Sequence, residues 1–225
     1  MTDGGSPLRQ HLLDGFTLIA LLAAIGISWL AFRRQAGPES FDREERRIEN
    51  WDEDRIAGRS LGEGRGSLTL VEFGDYECPV CRAYEPWLRG LLNEFSGKLR
   101  VLFAHYPLSY HRAAYPAARA AECAASQGVF SAFHEKLMSE DEWMLNAQRE
   151  FERIAEAVGV SDLASFRACI TDSGQVPIVE RHRKLGEDLR IEGIPALILD
   201  GVILGSVDST SLAERIRTTL ERPEK

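Results

Sequence analysis

The chain has 225 residues, of which 44% are hydrophobic and 28% charged, and carries a formal net charge of -8. That length suits one well-packed domain plus an appendage rather than two full domains. Acids and bases are interspersed, so no basic stripe offers itself to phosphates and nucleic-acid binding is excluded as a reading. Four cysteines, Cys78, Cys81, Cys123 and Cys169, divide into one close pair and one distant pair.

Residues 1–14 form a short N-terminal tail. Residues 15–32, "GFTLIALLAAIGISWLAF", carry no charge and at ~1.5 Å per residue would rise about 27 Å as a helix, close to the ~30 Å apolar core of a bilayer. One transmembrane anchor is expected there. A cleaved leader is the competing reading, but its apolar region is usually shorter, and Arg34 sits where a cut after Ala36 needs a small residue. Arg33, Arg34, Arg43, Arg46 and Arg47 come after the segment, and these flanks alone favour a cytoplasmic location for the C-terminal part of the chain.

Residues 33–66 read as a charged linker with one short helix around 42–55, in which Trp51 is expected to dock on the next domain. The domain itself is placed at 67–221. "SLTLVEFGDYE" is a strand, and a helix beginning at the close cysteine pair runs to Gly97. "LRVLFAHYPL" is a second strand. Helical sequence fills about 112–190, with Ser161 expected as an N-cap and Gly128 and Gly159 as C-caps. "ALILD" and "VILGS" then form a hairpin around Asp200 and Gly201, and "STSLAERIRTTL" is a final helix. The order of strands and helices defines an α/β sheet domain with an inserted α-helical subdomain.

The stretch "GDYECPVCRAYEPW" places Cys78 where a strand ends and a helix begins. Free N–H groups and the positive end of the helix dipole favour its thiolate there. Pro79 suits the first turn of a helix. A two-residue spacer brings Cys81 within disulfide reach but deeper beneath the helix, giving an outer nucleophile and a sheltered resolving thiol, the arrangement that thiol-disulfide exchange requires. A zinc site would need further ligands; His105 and His111 lie at an unsuitable spacing with Pro107 between them, so no metal is expected. Cys123 and Cys169 fall on different expected helices, where they are either a structural disulfide or two small apolar core groups.

From about residue 48 to 220 the chain resembles DsbA-like thiol:disulfide oxidoreductases of the thioredoxin superfamily. "VEFGDYECPVCR", "HYPLSYH", "AAECAASQGVF" and "EGIPALILDG" carry the resemblance, in that order along the chain. It implies a thioredoxin-like fold preceded by the transmembrane helix, with Cys78 as nucleophile, Cys81 as resolving cysteine, Pro195 as a cis-proline facing them, and Glu72 as a buried acid that exchanges a proton with Cys81. Ile194, Pro79 and Val80 are expected to meet substrate. The redox-active disulfide makes any other cofactor unnecessary. Protein thiols or disulfides are the expected substrates, with an unidentified membrane protein recycling the pair.

The motif departs from strongly oxidising members in having Pro79 and Val80, and no histidine, between the cysteines. Asp75 and Glu77 are expected to raise the Cys78 pKa further, giving a weaker oxidant. Oxidative folding, reduction or isomerisation are all open to the same chemistry, and a tethered peptide-binding module without redox activity is the alternative. A Cys123–Cys169 bridge would persist only in an oxidising compartment. With the family's usual location it favours an extracytoplasmic, periplasmic domain against the arginine flanks.

Overall fold

A computed structural model describes residues 45–52, 55–62, 66–172, 174, 176–205 and 207–221. The expected N-terminal tail and transmembrane segment at 15–32 lie outside the described residues, among which no helix is long and apolar enough to cross a membrane.

Among the described residues one sheet has six strands. They are β1 (Arg46–Arg47), β2 (Arg59–Leu61), β3 (Leu68–Gly74), β4 (Leu99–His105), β5 (Ala196–Leu199) and β6 (Val202–Ile203), in the order β1-β6-β5-β3-β4-β2. Only β3 and β4 run parallel; every other neighbouring pair is antiparallel. The parallel pair is joined by α1 (Pro79–Glu94), because a parallel connection needs a crossover. Among the described residues five further α-helices lie between β4 and β5: α2 (Ala114–Ala125), α3 (Phe130–Ser139), α4 (Ala147–Ala157), α5 (Leu163–Thr171) and α6 (Pro177–Asp188), with a 3-10 turn at Glu142–Met144 between α3 and α4, and α7 (Ser209–Leu220) follows the last strand.

Alternation along β3 explains why both sheet faces are covered. Leu68 and Leu70 pack with α1, α2 and α3 in the larger core, whereas Val71 and Phe73 join Leu102, Ala104 and Ile198 in a smaller core on the other face. All seven residues of β3 are buried, as a central strand sandwiched between helices requires. Trp143 is fully buried in the larger core, and its indole N–H donates to the Leu137 carbonyl at 2.9 Å, so the polar end of the ring is satisfied.

The hairpin at Asp200 and Gly201 forms as expected, with positive φ at both residues (46° and 77°). A Cβ on Gly201 would come 2.6 Å from the Trp51 ring, so Trp51 does dock on this domain, against the turn. Gly128 and Gly159 take left-handed φ after α2 and α4, as their capping role requires.

Two expectations fail. In the described part of the expected linker, sheet edges stand where a short helix was expected: Arg46 and Arg47 pair with Ile203 and Val202, and Arg59 to Leu61 pair with Phe103 to Val101. Asn50 and Ala57, at φ 52° and 51°, interrupt any helix across this stretch. The ordered domain therefore starts well before residue 67, and arginines on the exposed β1 edge discourage further strand pairing. Nor is Ser161 the N-cap of α5. Asp162 takes that role, accepting from the Ser165 N–H at 2.9 Å, while the Ser161 hydroxyl donates to Gln127 at 3.1 Å.

Candidate active site

Cys78 occupies the N-cap of α1 with extended backbone (φ -72°, ψ 118°), and Pro79 is the first helical residue. The chain turns there because Asp75 closes the loop: its carbonyl accepts from the Cys78 N–H, and its buried carboxylate accepts from the Glu77 N–H at 2.8 Å. The same carboxylate receives the Leu108 N–H at 2.9 Å and His111 Nδ1 at 2.8 Å. Asp75 thus ties the approach to Cys78 to the loop leaving β4. Arg82, one position past Cys81, donates to the Leu137 and Glu140 carbonyls at 2.6 and 3.0 Å and fixes the first turn of α1 to the end of α3.

Cys78 is 6% exposed and Cys81 is fully buried, so even the outer sulfur shows little surface. Both are free thiols, and the Cys81 side chain is hydrogen-bonded to the Cys78 sulfur. That bond, reinforced by the N–H groups of Cys81 and Val80, outweighs burial and brings the Cys78 thiol down to about 6. The pull of Asp75 is upward, as expected from sequence, but it is the smallest influence on Cys78, and Glu77 is spent elsewhere, accepting the Ala113 N–H at 2.7 Å. The helix N-terminus therefore favours the thiolate as expected, whereas the tempering expected from Asp75 and Glu77 is minor and leaves Cys78 depressed. Cys81 moves the other way: the hydrogen bond it gives Cys78, its burial and the nearby Glu72 all hold it strongly protonated.

Glu72 lies on β3 on the face covered by α1 and is completely buried, and neither carboxyl oxygen has a hydrogen-bond partner among the described residues. Burial, then the charges of Glu85 and Cys78, push it well above the ordinary carboxylate range. The Ile194–Pro195 peptide is cis. Phe73 pairs with Ala196, so extending the register by one residue sets Pro195 opposite Gly74, at the end of β3 that leads to Cys78. Ile194 packs partly buried against the larger core, which includes both sulfurs, whereas Val80 is 50% exposed beside them. Pro86 lies inside α1, where it removes one main-chain donor.

The distant cysteines, on α2 and α5, are disulfide-bonded across a separation of 46 residues. His105 and His111 do not approach one another as ligands: His105 Nε2 is bonded to Glu122 at 2.8 Å, and His111 to Asp75. Among the described residues no group of three or more potential ligands could hold a metal ion.

Sequence reading passed over Glu85. It comes one helical turn after Cys81, within the buried stripe Cys81, Glu85, Leu88 and Leu91 of α1. An acid at an apolar helical spacing was the signal that could have found it. Its partners, Arg89 on the next turn and His134 on α3, explain how it is tolerated there.

Residues 54–221 match the family model described as Thioredoxin. The chain belongs to the thioredoxin family. This thioredoxin-family chain is 25% identical to a thioredoxin-like oxidoreductase from Silicibacter pomeroyi DSS-3, whose crystal structure covers 77% of this chain and 100% of its own with a TM-score of 0.63. It is 23% identical over 173 residues to the probable disulfide bond formation protein D of Bacillus anthracis, covering 73% of this chain and 79% of that protein. It is also 36% identical over 143 residues to the Na(+)/H(+) antiporter NhaA 1 of Salinispora arenicola (strain CNS-205), covering 62% of this chain and 21% of the antiporter. The chain therefore spans about a fifth of the length of the antiporter it matches.

Proposed function

We propose that this chain is a protein thiol:disulfide oxidoreductase that uses the Cys78–Cys81 pair to introduce disulfides into client proteins. The carrying observation is the opposed chemistry of two neighbouring sulfurs, one held near pH 6 at a helix N-terminus and the other buried and held protonated. A thiolate of low pKa is a good leaving group and stabilises the reduced pair, which favours passing the disulfide on.

In the oxidising direction a client thiolate attacks Cys78 Sγ of the disulfide. The Cys78–Cys81 bond breaks, and its electron pair passes to Cys81 Sγ, which is then protonated. A second client thiolate attacks the client sulfur of the mixed disulfide and expels the Cys78 thiolate. The client is oxidised by two electrons and the pair is reduced by two. Glu72 is the group placed to supply the Cys81 proton. Val80, half exposed, and Tyr110, 73% exposed on the loop that His111 pins to Asp75, offer apolar surface at the rim for an unfolded client. Pro195 and Ile194 would present main chain to the client, and Pro79 would meet it beside Val80.

Residues 15–32 serve in this reading as the membrane anchor, and the Cys123–Cys169 bridge argues for an oxidising, extracytoplasmic compartment. A membrane redox protein would reoxidise the pair. The test is Cys81→Ala, which should trap clients as adducts on Cys78 that a reductant releases. The reduction potential of the pair should lie nearer ~-120 mV than ~-270 mV. Absence of reducible adducts, with wild-type folding retained, would remove the activity; a potential near the lower figure would reverse its direction. Alkaline phosphatase fused after Gly66 should be active, since that enzyme works only outside the cytoplasm.

A further inference from the structure

Glu85 stands in an unusual position for a carboxylate. The face of β3 that carries Leu70 and Glu72 is covered by the stripe of α1 in which Glu85 sits between Cys81 and Leu88. Three groups hold it there. Arg89 Nε donates to Oε1 at 2.6 Å, and His134 Nε2 lies 3.1 Å from Oε2. Tyr76 Oη is 3.1 Å from His134 Nδ1. With the tyrosine donating to Nδ1, the neutral imidazole carries its proton on Nε2 and donates to Glu85. Burial pushes the His134 pKa down. For Glu85 burial acts upward, but the His134 bond, followed by Arg89, outweighs it and holds the carboxyl below its ordinary range. Every partner of Glu85 thus selects its anionic form.

The neighbouring Glu72 has no such partners. Beside it on the sheet are Phe103 and Leu197, neither of which titrates. The ionisable groups acting around it are Cys78 at the N-cap of α1, Cys81 and Glu85 from that helix, and Tyr76 from the loop before it; Arg89 bonds Glu85, and His134 bonds both Glu85 and Tyr76. No cation pairs with Glu72 among the described residues.

We propose that Glu85 is a positioning residue for Glu72: a buried anion, fixed by Arg89 and His134, that keeps the unpartnered Glu72 carboxyl protonated and ready to donate to Cys81. The inference rests on the redox reading of the cysteine pair and adds a bias to it. When the disulfide opens, the electron pair left on Cys81 Sγ takes the proton of Glu72, which becomes a carboxylate. A proton released to solvent by a client thiol replaces it. A carboxyl held in its acid form serves this step and is a poor base for the reverse one, the deprotonation of Cys81.

The experiment compares the full chain with Glu85→Gln, Glu85→Asp, Glu72→Gln and the Glu72→Gln/Glu85→Gln double variant. Two readouts are taken against pH: the infrared carbonyl band of a protonated carboxyl in the reduced protein, identified by its loss in Glu72→Gln, and the rate at which dithiothreitol opens the oxidised pair, expressed per dithiothreitol thiolate. Removing a like charge should lower the midpoint of the band by about one pH unit or more, and bring the fall in rate to lower pH by the same interval. Glu85→Asp, which keeps the charge, should keep the wild-type midpoint. The double variant should match Glu72→Gln, and the Cys78 thiolate titration should be unmoved in Glu85→Gln. The proposal is overturned if Glu85→Gln leaves the band and the profile in place, or moves the profile equally when Glu72 is absent. If the wild-type pair does not react with dithiothreitol at all, the redox reading falls with it; if it reacts and only the Glu85 effect is missing, the redox reading stands alone.

Discussion

The Cys81 thiol is hydrogen-bonded to the Cys78 sulfur, and this single contact is the largest influence on both groups, lowering one pKa and raising the other. A thiol can stabilise a neighbouring thiolate only by donating to it, so the two protonation states are locked together: Cys78 is ionised because Cys81 is not.

Cys81→Ala should therefore do more than trap clients. Without the donor, Cys78 keeps only the N–H groups of Cys81 and Val80 against burial and Asp75, and its pKa should climb from about 6 toward the ordinary thiol value of ~8.5. Thiolate absorbance titrated in wild type and variant measures this. A Cys78 that still titrates near 6 in the variant would assign the depression to the helix N-terminus instead.

The same depression fixes how the stability of the reduced protein varies with pH. Cys78 is lowered in the folded state, so its contribution is present above the unfolded thiol's pKa and is lost as pH falls through about 6. The disulfide form has no such group. Reduced protein should thus gain stability relative to oxidised protein between pH 5 and pH 8, which urea unfolding of the two forms at each pH would reveal.

Asp75 shows where sequence reading reached and where it stopped. Cys78 and Cys81, the cis-proline Pro195 opposite Gly74 and the buried Glu72 each lie within a short motif, and strand and helix order brings those motifs to the same part of the sheet. Charge near a cysteine, by contrast, carries in the sequence only the meaning of a field acting on it. Folding gave the Asp75 carboxylate three donors, two of them from Leu108 and His111, more than thirty positions away and silent in any local pattern. Arg46 and Arg47 illustrate a second limit: a two-residue edge strand carries no alternation to detect, and only its partner Val202–Ile203 makes it one.

Replacing Asp75 and Glu77 separately should then give unlike results. Asp75→Ala leaves the N–H groups of Glu77 and Leu108 and the His111 ring without their acceptor in a half-buried setting, at a cost toward the lower end of about 1–3 kcal/mol for each group left unsatisfied. A clear loss of unfolding free energy is expected, with some repair in Asp75→Asn, which keeps one carbonyl acceptor. Glu77→Gln can still accept the Ala113 N–H and should leave both stability and the Cys78 titration nearly unchanged.

Cys123→Ala/Cys169→Ala should lower stability by roughly 4 kcal/mol, the chain-entropy value for a loop of this length. The bridge joins α2 to α5, both remote in sequence from the Cys78–Cys81 pair, so dithiothreitol should open the active-site pair at the wild-type rate under conditions where the variant remains folded. A proportional loss of exchange rate would instead make the helical subdomain part of the catalytic unit.

Glu122 sets an acid limit on the fold. Burial pushes this carboxyl up, but His105 Nε2 at 2.8 Å and the Arg59 guanidinium, whose Nε lies 2.9 Å from the same oxygen, outweigh it and bring the pKa down to about 2. These bonds tie β2, the end of β4 and α2 together. Because the folded-state pKa is depressed, the stabilisation is complete above the ordinary carboxylate range, near 4.5, and is lost as pH falls toward 2. Glu122→Gln should weaken the protein at pH 6, where the charge is fully engaged, and the gap between variant and wild type should narrow steadily below pH 4. Unfolding midpoints in urea at pH 6, 4 and 3 test the sign. A gap that stays constant across that range would mean that Glu122 acts there by shape and neutral hydrogen bonding rather than by its charge.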